Sequence, residues 1–185
     1  MVLICGYKKQ VGKDTFCKFL QECLPEKKII RFAFADALKD EIYDMVLKPF
    51  GLSRDLLDDS EIKSTFRPLM QWWGTEFRRS ENPKLNGNPD IWIEKTLVKI
   101  QDALSQDPNC VPVICDGRFP NEYIKLKNQF ESISILIQRE LDSPDPHISE
   151  KIMDDYLHLF DVKIANSNNL EEYKLTVQKF AQQYF

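Results

Sequence analysis

Val2-Leu3-Ile4-Cys5-Gly6-Tyr7-Lys8-Lys9-Gln10-Val11-Gly12-Lys13-Asp14-Thr15 passes from an apolar run through a turn of glycine and lysine into a helix-forming segment. A strand, a turn and a helix in that order build a phosphate cradle. The backbone N–H groups of the turn point inward, the helix adds its positive dipole end, and Lys13 can reach the outer phosphate oxygens. The spelling departs from G-x-x-x-x-G-K-[ST]. Tyr7 stands where the first glycine belongs, Gly6 comes one place early, and Asp14 replaces the hydroxyl residue, with Thr15 directly after it. On this stretch alone a second reading stays open, a strand-to-helix turn whose glycines serve only sharp geometry.

The surrounding chain narrows the choice. At 185 residues, 43% hydrophobic and 29% charged, it suits one α/β domain with a full core. A net charge of −4 argues against a surface that wraps nucleic acid polymers and favours small phosphorylated ligands. Cys5, Cys17, Cys23, Cys110 and Cys115 are odd in number and lack C-x-x-C spacing, which reads as free thiols in a reducing compartment. The apolar start is too short for a signal peptide, and no run approaches the roughly 18 residues of a membrane span. The expectation is a cytoplasmic protein with no membrane partner.

Apolar runs at Val2–Cys5, Ile29–Ala35, Val111–Cys115 and Ile133–Ile137, with a weaker one at Val162–Ala165, read as strands buried on both faces of a mostly parallel five-stranded sheet. Helices are expected over Thr15–Leu24 and over Asp36–Leu47, with Asp36 as the cap of the latter. Residues 50–109 carry no strand signal and read as a helical insertion able to grip a second substrate. Residues 139–150, with Pro144 and Pro146 among acidic residues, read as an exposed lid.

Three further groups carry chemistry. On the helix starting near Phe66, a stripe of Phe66, Leu69, Met70, Trp73 and Phe77 reads as core. At about 100° per residue, Arg67, Gln71, Gly74 and Arg78 share another face. Two guanidiniums and an amide around a glycine make a groove floor for a phosphorylated ligand, or else a solvated face. Trp72 borders that groove as a stacking surface or sits half buried. Val111–Cys115 delivers Asp116 and Arg118 at its carboxyl end, where open parallel sheets bind ligands. Asp116 can join a magnesium shell and Arg118 can neutralise phosphate charge, whereas Asn121 is the better helix cap. Arg139 follows a strand ahead of the Pro-broken loop, as a phosphoryl-transfer lid would need, or else it is an ordinary surface arginine. Neither His147 nor His158 has metal partners in sequence, Ser149 and Glu150 begin a helix, and Asn166 either reads a purine edge or turns the chain.

These residues resemble the deoxynucleoside monophosphate kinases of bacteriophages and other viruses, a branch of the P-loop nucleoside monophosphate kinase superfamily. The resemblance runs through GKDT at Gly12–Thr15, FADALK at Phe34–Lys39, RPLMQWWGTEFRR at Arg67–Arg79 and DGRFPNE at Asp116–Glu122. It continues through Arg139 and the HISE stretch ending at Glu150 to the DVKIANSNNLEE tail. An aspartate after the P-loop lysine is that family's usual spelling, whereas Tyr7 departs from it.

The resemblance implies a P-loop NTPase-type three-layer α/β fold over 1–185, with a helical monophosphate-binding insertion and a lid. It implies an enzyme that moves the γ-phosphate of ATP to a deoxynucleoside 5′-monophosphate with Mg2+. By carry-over Gly12, Lys13, Asp14 and Thr15 hold the donor phosphates, Asn166 lies in the donor site, and Asp14 and Asp116 hold the metal. Asp36, Lys39, Arg67, Gln71, Trp72, Gly74 and Arg78 hold the acceptor, and Lys13, Asp116, Arg118 and Arg139 act on the transferring group. A homodimer and, for a viral chain, a host-cytoplasm location accord with it. Phosphomevalonate and dephospho-coenzyme A kinases share the same strand, loop and lid logic, and a nucleotide-binding regulatory protein is the non-enzyme alternative.

Overall fold

A computed structural model describes residues 1–139, 151–167 and 169–185. The expected lid beyond Arg139, with His147, Ser149 and Glu150, lies outside them, as does Asn168. The chain divides into two compact units, Met1–Ala33 with Lys99–Phe185 and, second, Phe34–Val98.

The first unit is built on five strands, β1 (Val2–Gly6), β2 (Ile29–Phe32), β3 (Val111–Gly117), β4 (Ser132–Gln138) and β5 (Val162–Ala165), in the order β2-β3-β1-β4-β5. Among the described residues every pairing is parallel. β1 and β3 are central, and their continuous apolar spelling follows from burial on both faces. From β1 the chain leaves through α1 (Lys13–Cys23) toward β2, whereas from β3 it leaves through α5 (Pro120–Gln129) toward β4 on the other side of β1. With right-handed crossovers these opposite directions put α1 and α5 on opposite faces. The carboxyl ends of β1 and β3 therefore flank the point where the chain's winding reverses, the place where such sheets bind ligands.

On one face Leu3, Cys5, Val113 and Ile135 pack under Phe16 and Leu20 of α1 and under Tyr173, Val177 and Phe180 of α6 (Leu170–Tyr184). Cys5, Cys17, Cys110 and Cys115 are buried free thiols, and Cys23 is partly buried, as the spacing indicated. The strand after Pro25 is shorter than expected. It stops at Phe32, and helix α2 (Phe34–Ile42) begins two residues later. Asp36 is thus not the cap of that helix but lies in its first turn, where its charge meets the positive dipole end.

The second unit is helical. After α2 come a π-turn at Tyr43–Leu47, a short 3-10 turn at Arg54–Leu57, α3 (Lys63–Gln71) and a π-helical segment at Trp72–Phe77. α4 (Ile91–Gln106) then carries the chain back into the first unit. Ile42, Leu47 and Leu57 are its fully buried centre, with Phe66, Leu69, Met70 and Trp73 of the apolar stripe packed against them, whereas Phe77 of that stripe stacks on the exposed Trp72. Among the described residues no helix is long and apolar enough to cross a membrane.

Candidate functional site

The loop between β1 and α1 is held from four directions within the first unit. Gly12 has φ +97° and leads into α1, whose N-terminus has no side-chain cap. Its first-turn N–H groups are therefore of the kind that phosphate oxygens satisfy. A side chain at Gly12 would place its Cβ 2.5 Å from Nδ2 of Asn166, so glycine is required by conformation and by space. Asn166 Nδ2 donates to the Val11 carbonyl at 2.9 Å, and the Tyr173 hydroxyl donates to the Gly12 carbonyl at 3.1 Å. The guanidinium of Arg139 donates to the Gln10 carbonyl at 3.2 Å, and the Lys13 ammonium donates to the Lys8 carbonyl. Arg139 and Asn166, remote in the chain, thus meet the loop that carries Gly12 and leads into Lys13. Asn166 faces the loop backbone.

Tyr7, which the P-loop pattern left unexplained, is buried at 3% exposure. Its ring stacks on Phe160 at 6.0 Å between centroids, and its hydroxyl donates to the carboxylate of Asp154. That hydrogen bond keeps the Asp154 carboxyl below its ordinary range, and burial pushes the Tyr7 phenol up. Gly6 is required by another aromatic ring. A Cβ there would fall 1.7 Å from the Tyr123 hydroxyl, which donates to the Gly117 carbonyl at 2.9 Å.

β3 brings Asp116 beside the same loop. The pairing of β1 with β3 runs Ile4 to Ile114 but Gly6 to Gly117, so a bulge falls at Cys115–Asp116. Such irregularities re-aim side chains next to sites. Beyond it the buried carboxylate of Glu122 accepts from the N–H groups of Arg118 at 2.6 Å and Phe119 at 3.0 Å, and Pro120 occupies the first turn of α5. Glu122 rather than Asn121 therefore closes this helix start. The sequence signal was present, because a glutamate in the first turn after Pro suits such reverse capping.

Asp14 pairs with Arg31 at 2.6 Å, an arginine that the sequence reading passed over. Among the described residues there is no group of three or more His, Cys, Asp or Glu able to hold a metal ion. Asp14, Thr15 and Asp116 supply hard oxygen donors, the kind suited to Mg2+ carried on nucleotide phosphates, which needs only one or two carboxylates from the protein.

The remaining candidates fall on the second unit. Lys39 pairs with Asp58 at 2.6 Å and Asp36 at 3.6 Å, while Arg54 pairs with Asp40 at 2.6 Å and Asp58 at 3.2 Å. Asp36 and Lys39 therefore belong to a charged network rather than standing alone. Glu41 gathers Arg78 Nε at 2.6 Å, Lys95 at 2.6 Å and the Trp73 indole N–H at 2.9 Å. Burial raises the Glu41 carboxyl, and these three donors outweigh it and hold the group below its ordinary range.

The face drawn through Arg67, Gln71, Gly74 and Arg78 needs correction at its glycine. A regular helix ends at Gln71 and π-helical turns follow, so a wheel of fixed pitch does not extend to Arg78. A Cβ at Gly74 would meet the Leu38 side chain at 2.8 Å, and its carbonyl accepts from the Trp92 indole at 2.9 Å. Helix α2 packs on that backbone, so Gly74 is a helix-contact residue and not a groove floor. The same wide turns stack Trp72 on Phe77 at 5.3 Å with planes 4° apart, leaving Trp72 51% exposed.

No family model matches the chain. It is similar to a protein of Acanthamoeba polyphaga mimivirus described as "Putative deoxynucleotide monophosphate kinase", with 25% identity over 173 residues, 89% of this chain and 88% of that protein. Among solved structures it is similar to the dephospho-CoA kinase of Campylobacter jejuni, at 16% identity and TM-score 0.49, with 98% and 96% of the two chains covered. It is also similar to the shikimate kinase of Aquifex aeolicus vf5, at 15% identity and TM-score 0.47, with 99% and 97% covered. The chain has a P-loop-type α/β fold and resembles the deoxynucleoside monophosphate kinases along nearly its whole length.

Proposed function

We propose that the protein is an ATP-dependent kinase that transfers the γ-phosphoryl group of ATP to a deoxynucleoside 5′-monophosphate. The observation that carries this reading is the convergence of Lys13, Arg139 and Asn166 on the loop around Gly12, at an uncapped helix N-terminus beside Asp116. The description of the mimivirus relative agrees with it.

In this reading the loop N–H groups and Lys13 bind the β- and γ-phosphates, and Asn166 and Tyr173 keep the loop carbonyls turned away from them. Asp14, Thr15 and Asp116 would hold Mg2+, which supplies charge neutralisation when bound. A phosphate oxygen of the acceptor forms the new bond to the γ-phosphorus as the bond to the β–γ bridging oxygen breaks, and ADP leaves. No strong nucleophile is needed, because alignment and charge neutralisation by Lys13, Arg118 and Arg139 lower the barrier. Arg67, Gln71 and Arg78 bind the acceptor, Trp72 offers an aromatic face to its base, and Asp36 and Lys39 lie in the charged network of the same unit.

The test is ATP turnover with and without each common deoxynucleoside and ribonucleoside monophosphate, with dephospho-coenzyme A and phosphomevalonate as rival acceptors. Stimulation by one or more deoxynucleotides supports the proposal. Turnover indifferent to every monophosphate overturns it.

A further inference from the structure

We infer that Asp154 is a positioning residue for the donor loop, acting through Tyr7 and Lys8; the inference rests on the reading that this loop binds the donor phosphates. Asp154 lies on the 3-10 segment Ile152–Leu159, far from the loop in sequence. Its carboxylate accepts from two consecutive loop residues, the Tyr7 hydroxyl and the Lys8 ammonium, the latter at 3.1 Å. The Lys8 carbonyl in turn accepts from the ammonium of Lys13. One carboxylate therefore fixes the residue whose backbone holds the phosphate-binding lysine.

The opposite side of Tyr7 is fixed as well. Its ring lies on Phe160, Phe160 meets Tyr123 edge-on at 5.1 Å, and Tyr123 bonds the Gly117 carbonyl next to Asp116. Between this aromatic column and Asp154, Tyr7 has one placement. That explains why a bulky phenol is accepted where the general pattern has glycine. A buried phenol needs a hydrogen-bond partner, and Asp154 supplies one while its own side chain stays 49% exposed. A half-exposed carboxylate adds little to the core, so its effect falls on the loop. Asp154 also offsets one positive charge of a loop that carries Lys8, Lys9 and Lys13, leaving Lys13 oriented by the Lys8 carbonyl.

The test is calorimetric binding of ATP with magnesium chloride to the full chain, beside steady-state constants for ATP and for the best acceptor of the panel above. Asp154→Ala is expected to weaken ATP binding about tenfold, the scale of a lost charge-assisted hydrogen bond, while the acceptor KM stays within about twofold. Asp154→Asn, which can still accept from Tyr7 and Lys8, should recover most of the affinity. Tyr7→Phe keeps the ring stack and removes only the hydroxyl, so it decides the matter if Asp154→Ala does not fold, with a loss of ATP affinity expected. Unchanged ATP affinity in the folded variants, or equal losses for ATP and acceptor, overturns the inference. Wild-type protein that does not bind ATP overturns the donor-loop reading beneath it.

Discussion

The side-chain amide of Asn166 donates to the backbone carbonyl of Val11 at 2.9 Å, joining the end of the last strand to the loop after the first. Without it the Val11 carbonyl loses its partner beside Gly12. Asn166→Ala should cost about 1–3 kcal/mol of stability, the range for a group left unsatisfied. ATP affinity should fall with it, while the acceptor KM changes little. Urea unfolding and ATP titration of the same preparation check both effects.

Lys13→Ala should leave the fold intact, because its ammonium is only part-buried and bonds within the loop. Phosphoryl transfer should fall by roughly 10²-fold or more, the cost of removing one preorganised charge-stabilising donor. Thermal melting together with single-turnover transfer measures this. Near-normal transfer would remove Lys13 from the donor site.

Gly6→Ala tests packing against the aromatic column. Its Cβ would overlap the Tyr123 hydroxyl at 1.7 Å and approach the Gly117 carbonyl at 2.9 Å, so backbone as well as side chain must move. A loss of roughly 1–3 kcal/mol is expected from overpacking. Tyr123→Phe in the same chain should restore only part of it. Full restoration would show that the backbone contact is not felt.

Gln71→Ala should raise the acceptor KM about tenfold or change base preference, with the ATP KM nearly unchanged, as loss of one hydrogen bond to the acceptor implies. Equal effects on both constants would place Gln71 outside the acceptor site.

Glu41 gives a pH signature. Although burial opposes it, bonding to Lys95, Trp73 and Arg78 lowers its folded-state pKa. Its contribution to stability is therefore present above the ordinary carboxylate value of about 4.3 and is lost as pH falls through the lowered value. Asp58 and Asp161 are lowered as well, Lys39 and Lys127 outweighing burial, and act in the same direction. Urea midpoints at pH 7 should exceed those near pH 3, and Glu41→Gln should reduce that difference. A pH-independent midpoint would contradict the assignment.

The succession of elements around Gly12 was legible because its information is local. Gly12 and Lys13 follow the apolar strand β1 across one short loop, and Asp116 lies near the carboxyl end of β3, so order along the chain and strand spelling suffice to place them. The apolar stripe from Phe66 to Trp73 was readable for the same reason, since helical periodicity separates core from solvent within a few turns. Gly74 failed because it lies beyond Gln71, where the helix widens, and because the Leu38 contact depends on an element far away in sequence. Asp36 was misplaced as a cap because the strand before it ends early, a boundary set by tertiary packing rather than propensity.

The sequence by itself determined the class of fold and the succession of strand, glycine-lysine turn and helix around Gly12, because each depends on neighbours in the chain. Only the tertiary structure decided what holds that loop. Tyr7 owes its place to Phe160 and Asp154, Lys13 is turned by the Lys8 carbonyl, and Val11 is met by Asn166. Those partners are remote in sequence, or, for Lys8, set by the loop's fold, and no periodicity encodes them. Buried and partly buried polar groups must find hydrogen bonds wherever the folded sheet brings a donor within reach.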